Sequence, residues 1–382
     1  MNTQTQYDYI IAGTGAAGLS LLMRMLGNPY FNDSKILLID KDIVKTNDRT
    51  WCYWEKEPGF FEDLVYRKWS KLNFFGEEHE AELDIFPYQY KMIRGEDFYT
   101  HCFAEIAKHS QVDRIYGEIK NIQNRDGRTT IYVDDQVIDT GKAVVFNSVY
   151  KEPARTKHDI ILLQHFKGWV IQTGQPSFTD RKATLMDFRV HQQHGTSFVY
   201  VLPFDEYTAL VEYTLFTPAL LNNEQYDQEL DQYITRQLGI KTYKVKEQEF
   251  GVIPMTNLSY PFYKNGVYHI GAAGGQTKAS TGYTFRFIQK QAQQIIDRLV
   301  SGESLQTIPP TPARFRFYDN TLLHILYHDQ LPGKKIFSRL FKKNDPVRVL
   351  RFLDNESTLA DEWKIISSLP AWPFLKAAIA HH

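Results

Sequence analysis

The chain has 382 residues, room for two domains rather than one small one. Its 44 basic and 45 acidic residues nearly cancel, which argues against a nucleic-acid partner held through phosphates. Two cysteines, Cys52 and Cys102, cannot build a disulfide framework, and no run reaches the about 20 apolar residues that cross a bilayer. The reading is a protein of a reducing compartment, cytoplasmic, with contact at the membrane surface left open.

Residues 7–12 read as a short buried strand. Gly13-Thr14-Gly15-Ala16-Ala17-Gly18 follows, then a helical run from Leu19 to Leu26 and a second strand from Lys35 to Ile39 that ends at Asp40. Gly13 suits a tight turn, Gly15 a close approach to a pyrophosphate, and Gly18 a helix packed hard on its strand. Ala16 and Ala17 open the helix, whose free N–H groups face the phosphates. Asp40 stands where an acid takes ribose hydroxyls. This spells a dinucleotide site, and its N-terminal position favours FAD over NAD by analogy with other flavoproteins.

A helix is expected over 97–108, with Phe98, Cys102, Phe103 and Ile106 on one side. Short strands follow to Ser148, with a hairpin at Asp126-Gly127. Longer strands are expected at 166–173, 183–189, 197–204 and 209–216, the last two joined by a hairpin at 205–208. A helix over 223–238 and a strand over 243–250 complete a mixed or antiparallel unit. A strand at 267–270 then leads to Gly271-Ala272-Ala273-Gly274-Gly275, Ser280-Thr281-Gly282-Tyr283 and a helix over 284–299. This second glycine-bearing turn reads as a further contact with the flavin and its phosphates.

Several segments in order resemble lycopene beta-cyclases: Asn47-Asp48-Arg49-Thr50-Trp51, Leu202-Pro203-Phe204, Leu210-Val211-Glu212, Gly251-Val252-Ile253-Pro254-Met255, Ser280-Thr281-Gly282-Tyr283 and Trp372-Pro373-Phe374. The resemblance implies a Rossmann-type FAD domain (1–160 and 263–305), a mixed-sheet substrate domain (161–262) and a helical C-terminal region (306–382). The α/β build expected is that of flavin hydroxylases. The resemblance also implies the activity: lycopene closed at its ends, through gamma-carotene, to beta-carotene. FAD would act reduced, with NADPH or NADH as reductant and no net oxidation.

Glu212 is the catalytic acid implied. Gly13, Gly15, Ala16, Ala17, Gly18, Asp40, Arg49, Gly271, Ala272, Thr281 and Gly282 are the cofactor residues expected. On residues alone, Glu212 reads as a solvent-facing strand position, because Ala209, Val211, Tyr213 and Leu215 form the apolar face. Tyr213 stands where many relatives carry a second acid, which puts a paired-carboxylate mechanism in doubt. Glu249 is the second acid candidate, with a salt bridge or solvent exposure as its plainer reading. His191 and His194 lack the further ligands of a metal site, and His381-His382 is a tail.

Residues 334–353 read as basic amphipathic helices, carrying Phe337, Leu340, Phe341, Leu350 and Leu353 among lysines and arginines. They are candidates for contact with anionic lipid at the inner membrane face, against ordinary helix packing. The sequence leaves the oligomeric state open. Two rival functions stand beside the cyclase: a redox flavoprotein such as a prenyl reductase or monooxygenase, and a carotenoid carrier that merely retains flavin.

Overall fold

A computed structural model describes residues 6–47, 49–152, 155–156 and 159–380. The N-terminal part runs β1 (Tyr9–Ala12), α1 (Ala16–Leu26), β2 (Ile36–Asp40), β3 (Thr50–Glu55), β4 (Arg67–Trp69), β5 (Lys71–Phe75), β6 (Glu80–Asp84), β7 (Gln89–Arg94), α2 (Gly95–Ile106) and β8 (Val112–Tyr116). Next come β9 (Ile119–Arg125), β10 (Arg128–Val133), β11 (Gln136–Asp139) and β12 (Val144–Asn147). The middle holds β13 (Ile161–Thr173), β14 (Lys182–Asp187), β15 (Thr196–Pro203), β16 (Thr208–Thr217), α3 (Asn223–Gln232) and β17 (Tyr243–Thr256). The chain closes with β18 (Tyr263–Lys264), β19 (Val267–His269), α4 (Phe285–Ser301), α5 (Ala313–Tyr327), α6 (Gly333–Lys343), α7 (Pro346–Leu353), α8 (Leu359–Ser368) and α9 (Ala371–Ala380).

The first sheet has the order β18-β19-β12-β1-β2-β8 and is parallel except at β18. Strand β1 is buried at every position, as a parallel strand covered on both faces requires. Ile11 and Leu38 meet α1 and α4 on one side. Ile10 and Leu37 meet Ile119 and Ile131 of the small β11-β10-β9 sheet on the other. Asp126 and Gly127 both take positive φ, the backbone that a two-residue hairpin needs.

The second large sheet runs β17-β13-β16-β15-β14-β5-β6, and so takes two strands from 71–84. Its β15–β16 turn is tied by Asp205, whose Oδ1 accepts from the N–H groups of Tyr207 and Thr208, each at 2.7 Å. One face packs on α3 through Trp169, Val211, Tyr213 and Tyr226. The other is covered by the β3-β7-β4 sheet and by C-terminal helices, through Trp54, Tyr90, Phe198, Phe337 and Leu350.

That second cover corrects the solvent-facing reading of Glu212, which is half-buried between buried neighbours on β16. It also corrects the reading of 334–353. Phe337, Leu340, Phe341, Leu350 and Leu353 are buried in the core, and Arg348 and Arg351 pair with Asp361. Packing on the sheet has claimed that apolar face. The helix expected over 223–238 is α-helical only to Gln232. A π-helical turn over Tyr233–Gln237 follows, burying Tyr233 and Ile234, with the Tyr233 hydroxyl donating to Asp187. Strand β17 outruns the expected 250 and includes Pro254, which an edge strand tolerates.

Candidate active site

The cofactor cradle begins where β1 ends. Gly13 takes φ +97°, and the Ser148 hydroxyl donates to the carbonyls of Ala12 and Gly13, both at 3.0 Å. No atom lies within 4 Å of where a Cβ on Gly15 would stand, so the backbone there is open to a close-lying group. Gly15 caps α1 with no side-chain bond, which leaves the first N–H groups of Ala16 and Ala17 uncapped by side chains. Gly18 lets α1 close on Ile11 and the Gly13 carbonyl.

Asp40, at the end of β2, reaches this loop. Its Oδ2 accepts from Thr14 N–H at 2.5 Å and Thr14 Oγ1 at 2.8 Å. Its Oδ1 accepts from Asp42 N–H and from Lys45 Nζ at 3.0 Å. Burial pushes this carboxyl up, but the four donors outweigh burial and hold it below the usual carboxylate range. Its acceptor positions are all engaged, so a ribose hydroxyl would replace one donor.

The second turn is brought to the first by Gly271, at φ +62°. A Cβ there would stand 2.5 Å from that of Ala17. The Gly271 N–H donates to Gln291 at 3.2 Å, and Ala272 follows in the same turn. Beyond it, Thr281 Oγ1 and Gln164 Oε1 are buried and lack hydrogen-bond partners among the described residues. Gly282, at φ +71°, faces Gln164. An open glycine backbone, an uncapped helix start and orphaned polar atoms fit the phosphates and ring edge of a flavin dinucleotide. Arg49 is exposed at the entry to β3, and its carbonyl accepts from Gly95 N–H.

Glu212 lies beside Tyr283, the residue after Gly282. It pairs across β15–β16 with Tyr200, and across β16–β13 with Gly168. Thr214 Oγ1 donates to Glu212 Oε1 at 3.0 Å. The residue is half-buried. Burial first, and the negative charge of Glu249 second, hold it well above the usual carboxylate range. Burial above all raises Cys52, Tyr200 and Tyr283 beside it. Trp54 meets Tyr283 edge-on, with ring centres 4.7 Å apart.

Beside these rings a void of about 10 Å³, bordered by Cys52, Trp54 and Tyr283, has room for one water at most. A far larger cavity, about 800 Å³, lies behind the 271–279 turn, with Tyr260, Phe287, Lys290 and Arg316 on its walls. It touches neither Glu212 nor Glu249, nor the 13–18 loop. Its mixed polar lining sets it apart from the ring-lined acid site.

Glu249 is the residue whose setting differs most from its plainer reading. It stands opposite Gly168 on β17, lies close enough for its charge to act on the Glu212 carboxyl, and accepts from Thr50 Oγ1 at 2.8 Å. The 47–51 segment therefore meets β17: Asn47 Nδ2 donates to Glu247 at 2.9 Å. Gly168, Thr50 and Gln164 were missed in the sequence. Only Gly168 left a signal, as a glycine in mid-strand. Among the described residues no group of three His, Cys, Asp or Glu side chains is gathered as a metal site.

The two sheets and the cradle define a protein of the FAD-dependent hydroxylase fold. A flavoprotein/dehydrogenase from Cytophaga hutchinsonii superposes with TM-score 0.61 at 13% identity, covering 99% of both chains. A geranylgeranyl bacteriochlorophyll reductase-like protein from Thermoplasma acidophilum gives 0.57 at 14% identity, covering 99% of this chain and 96% of that one. Within this fold the chain belongs to the lycopene cyclase protein family, whose sequence profile matches residues 8–379. It is 24% identical to the lycopene beta-cyclase of Pantoea ananas over 98% of this chain and 97% of that protein. It is also 24% identical to the chloroplastic neoxanthin synthase of Solanum tuberosum, over 78% of this chain and 61% of that longer protein.

Proposed function

We propose that this protein closes the ends of lycopene into beta-rings, giving gamma-carotene and then beta-carotene, with FAD held reduced by NADPH or NADH. The observation that carries the reading is a half-buried carboxyl, held above the usual carboxylate range by burial and by Glu249, among the rings of Tyr200, Tyr283 and Trp54. Lycopene offers only alkenes, so its ring closure needs an acid, a partner for the transient cation, and no water to quench it.

Glu212 donates the proton to the terminal alkene. The faces of Tyr200, Tyr283 and Trp54 favour the cation by about 0.5–2 kcal/mol each. Reduced flavin, when bound, supplies further negative charge. Gly13, Gly15, Ala16, Ala17 and Gly18 would hold its pyrophosphate, and Asp40 a ribose. Gly271, Ala272, Thr281 and Gly282, with Gln164, would meet the ring system and its linker, and Arg49 would flank a phosphate. A polyene end is much larger than the void beside Tyr283, so the walls of the site move to admit it.

Lycopene dissolves in lipid, which supports contact with the membrane surface. No helix among the described residues is long and apolar enough to cross a bilayer. Exposed apolar side chains recur on two neighbouring helices, α8 (Leu359, Trp363, Ile366) and α9 (Trp372, Leu375, Ile379).

Expression in lycopene-making cells, with the pigment identified, tests the activity. Beta-carotene is expected from the wild-type chain. From Glu212→Gln, unchanged lycopene and a normal complement of bound FAD are expected. Unchanged lycopene with the wild-type protein ends the reading, and ring formation by the variant removes Glu212 as the acid.

A further inference from the structure

Strands β16 and β17 do not touch, because β13 lies between them. Gly168 of β13 is the register partner of Glu212 on one side and of Glu249 on the other. A Cβ at 168 would stand 2.9 Å from Glu249 Cγ and from Leu210 Cδ1, and 3.1 Å from Glu249 Oε1. Any larger residue would therefore press Glu249 away from this backbone. With glycine there, the two carboxyls come together over a bare backbone, and each raises the cost of ionising the other. Two carboxylates offer only acceptors, so a bond between them needs one proton. The outer oxygens are held as well, by Thr214 at 3.0 Å on Glu212 and by Thr50 at 2.8 Å on Glu249. The other titratable groups around the pair are Cys52 on β3, Tyr90 on β7, Tyr200 on β15 and Tyr283 before α4. All four are pushed up by burial and stay neutral near pH 7.

Building on Glu212 as the acid, we infer that Glu212 and Glu249 form a carboxyl pair with one shared proton across Gly168, which both gives and recovers the cyclisation proton. The pair's proton forms a C–H bond at the terminal alkene. The neighbouring alkene then closes a C–C bond onto the resulting cation and carries the positive charge into the ring. A ring C–H proton returns to the doubly ionised pair, and its electrons become the ring double bond. The pair ends with one proton and no electrons leave the substrate. The double negative charge exists only while the cation does, which is when it is most useful.

The experiment is the pH profile of turnover in Glu249→Gln. Only the protonated pair is active, so activity is lost as pH rises through its titration. Removing the Glu249 charge lets Glu212 ionise more easily. The alkaline limb is expected to move down by one pH unit or more, with FAD binding unchanged. A direct readout is the pH at which the infrared band of a protonated carboxyl disappears, expected to be lower in Glu249→Gln than in the wild type and with no such band from this site in Glu212→Gln. Gly168→Ala, which keeps both acids but separates them, should reproduce the downward shift. If it fails to fold, Glu249→Gln decides alone. An alkaline limb and a carboxyl band that both titrate in Glu249→Gln as in the wild type overturn the pair while leaving Glu212 as acid. Turnover by Glu212→Gln would instead remove the reading beneath it.

Discussion

Residue 282 must be glycine on two independent grounds. Its φ of +71° costs an L-residue about 1–2 kcal/mol, and a Cβ would collide with the Gln164 side chain. Gln164 and Thr281 are the orphaned polar groups that a flavin ring would engage. Gly282→Ala is thus expected to weaken FAD binding at least about tenfold, or ~1.4 kcal/mol, as read by quenching of flavin fluorescence. Unchanged affinity would detach this turn from the cofactor. The glycines were legible in sequence because a turn of this kind leaves its mark in one short stretch. The carboxyl pair was not. Tyr213 stood out as a missing second acid, but neighbours on a strand point to opposite faces, and Tyr213 is buried against α3. Glu249 reaches Glu212 only through a register spanning three strands, and no local pattern announces that.

At the scale of elements, β13, β16 and α3 are joined by a buried chain of hydrogen bonds. Tyr226 Oη donates to His165 Nδ1 at 2.5 Å, His165 Nε2 donates to Thr217 Oγ1 at 2.6 Å, and the Thr217 hydroxyl passes to the Ala219 carbonyl. His165 is neutral in this arrangement, and burial pulls its pKa down to about 4. The unfolded chain binds this proton more readily, near pH 6.5. Stability from this group is therefore full above pH 6.5 and declines as pH falls towards 4. Urea midpoints measured across that window should fall less steeply in His165→Gln than in the wild type. Parallel slopes would dismiss His165 as the source.

The long strands were legible because their apolar runs end at turn residues. Strands β3 to β7 were not, since their short runs mix charge with aromatics and take meaning only from the surfaces they cover. The C-terminal helices show the same dependence. The basic amphipathic face of α6 and α7 was already spent on the core. The stripes that remain open are Leu359, Trp363 and Ile366 on α8, and Trp372, Leu375 and Ile379 on α9, each at helical spacing. Tryptophan at such an edge suits a lipid headgroup boundary. Trp363→Ser combined with Trp372→Ser should cut co-sedimentation with lipid vesicles severalfold and spare FAD binding. Equal sedimentation would remove these helices as the contact.

For the whole molecule, the main tension is that a fold shared with a reductase-like protein and a dehydrogenase is proposed to run a reaction with no net electron transfer. The geometry resolves it by dividing the labour. The first sheet and the 271–282 turn would hold the cofactor, while the two acids sit on the second sheet, where the register of β16, β13 and β17 brings them to one place. Protons come and go from the second sheet, and the flavin has only to remain electron-rich. One consequence separates this enzyme from a prenyl reductase or monooxygenase. Enzyme whose flavin is reduced once, without oxygen, should form many rings per flavin after NAD(P)H is removed. A true redox enzyme would stop after a single turnover. With NAD(P)H present, its consumption should fall far below one per ring and should follow the leak of electrons to oxygen rather than the amount of product. One-to-one consumption, or a halt after one ring per flavin, would mean that electrons reach the substrate, and the proton-only role of Glu212 and Glu249 would have to be abandoned.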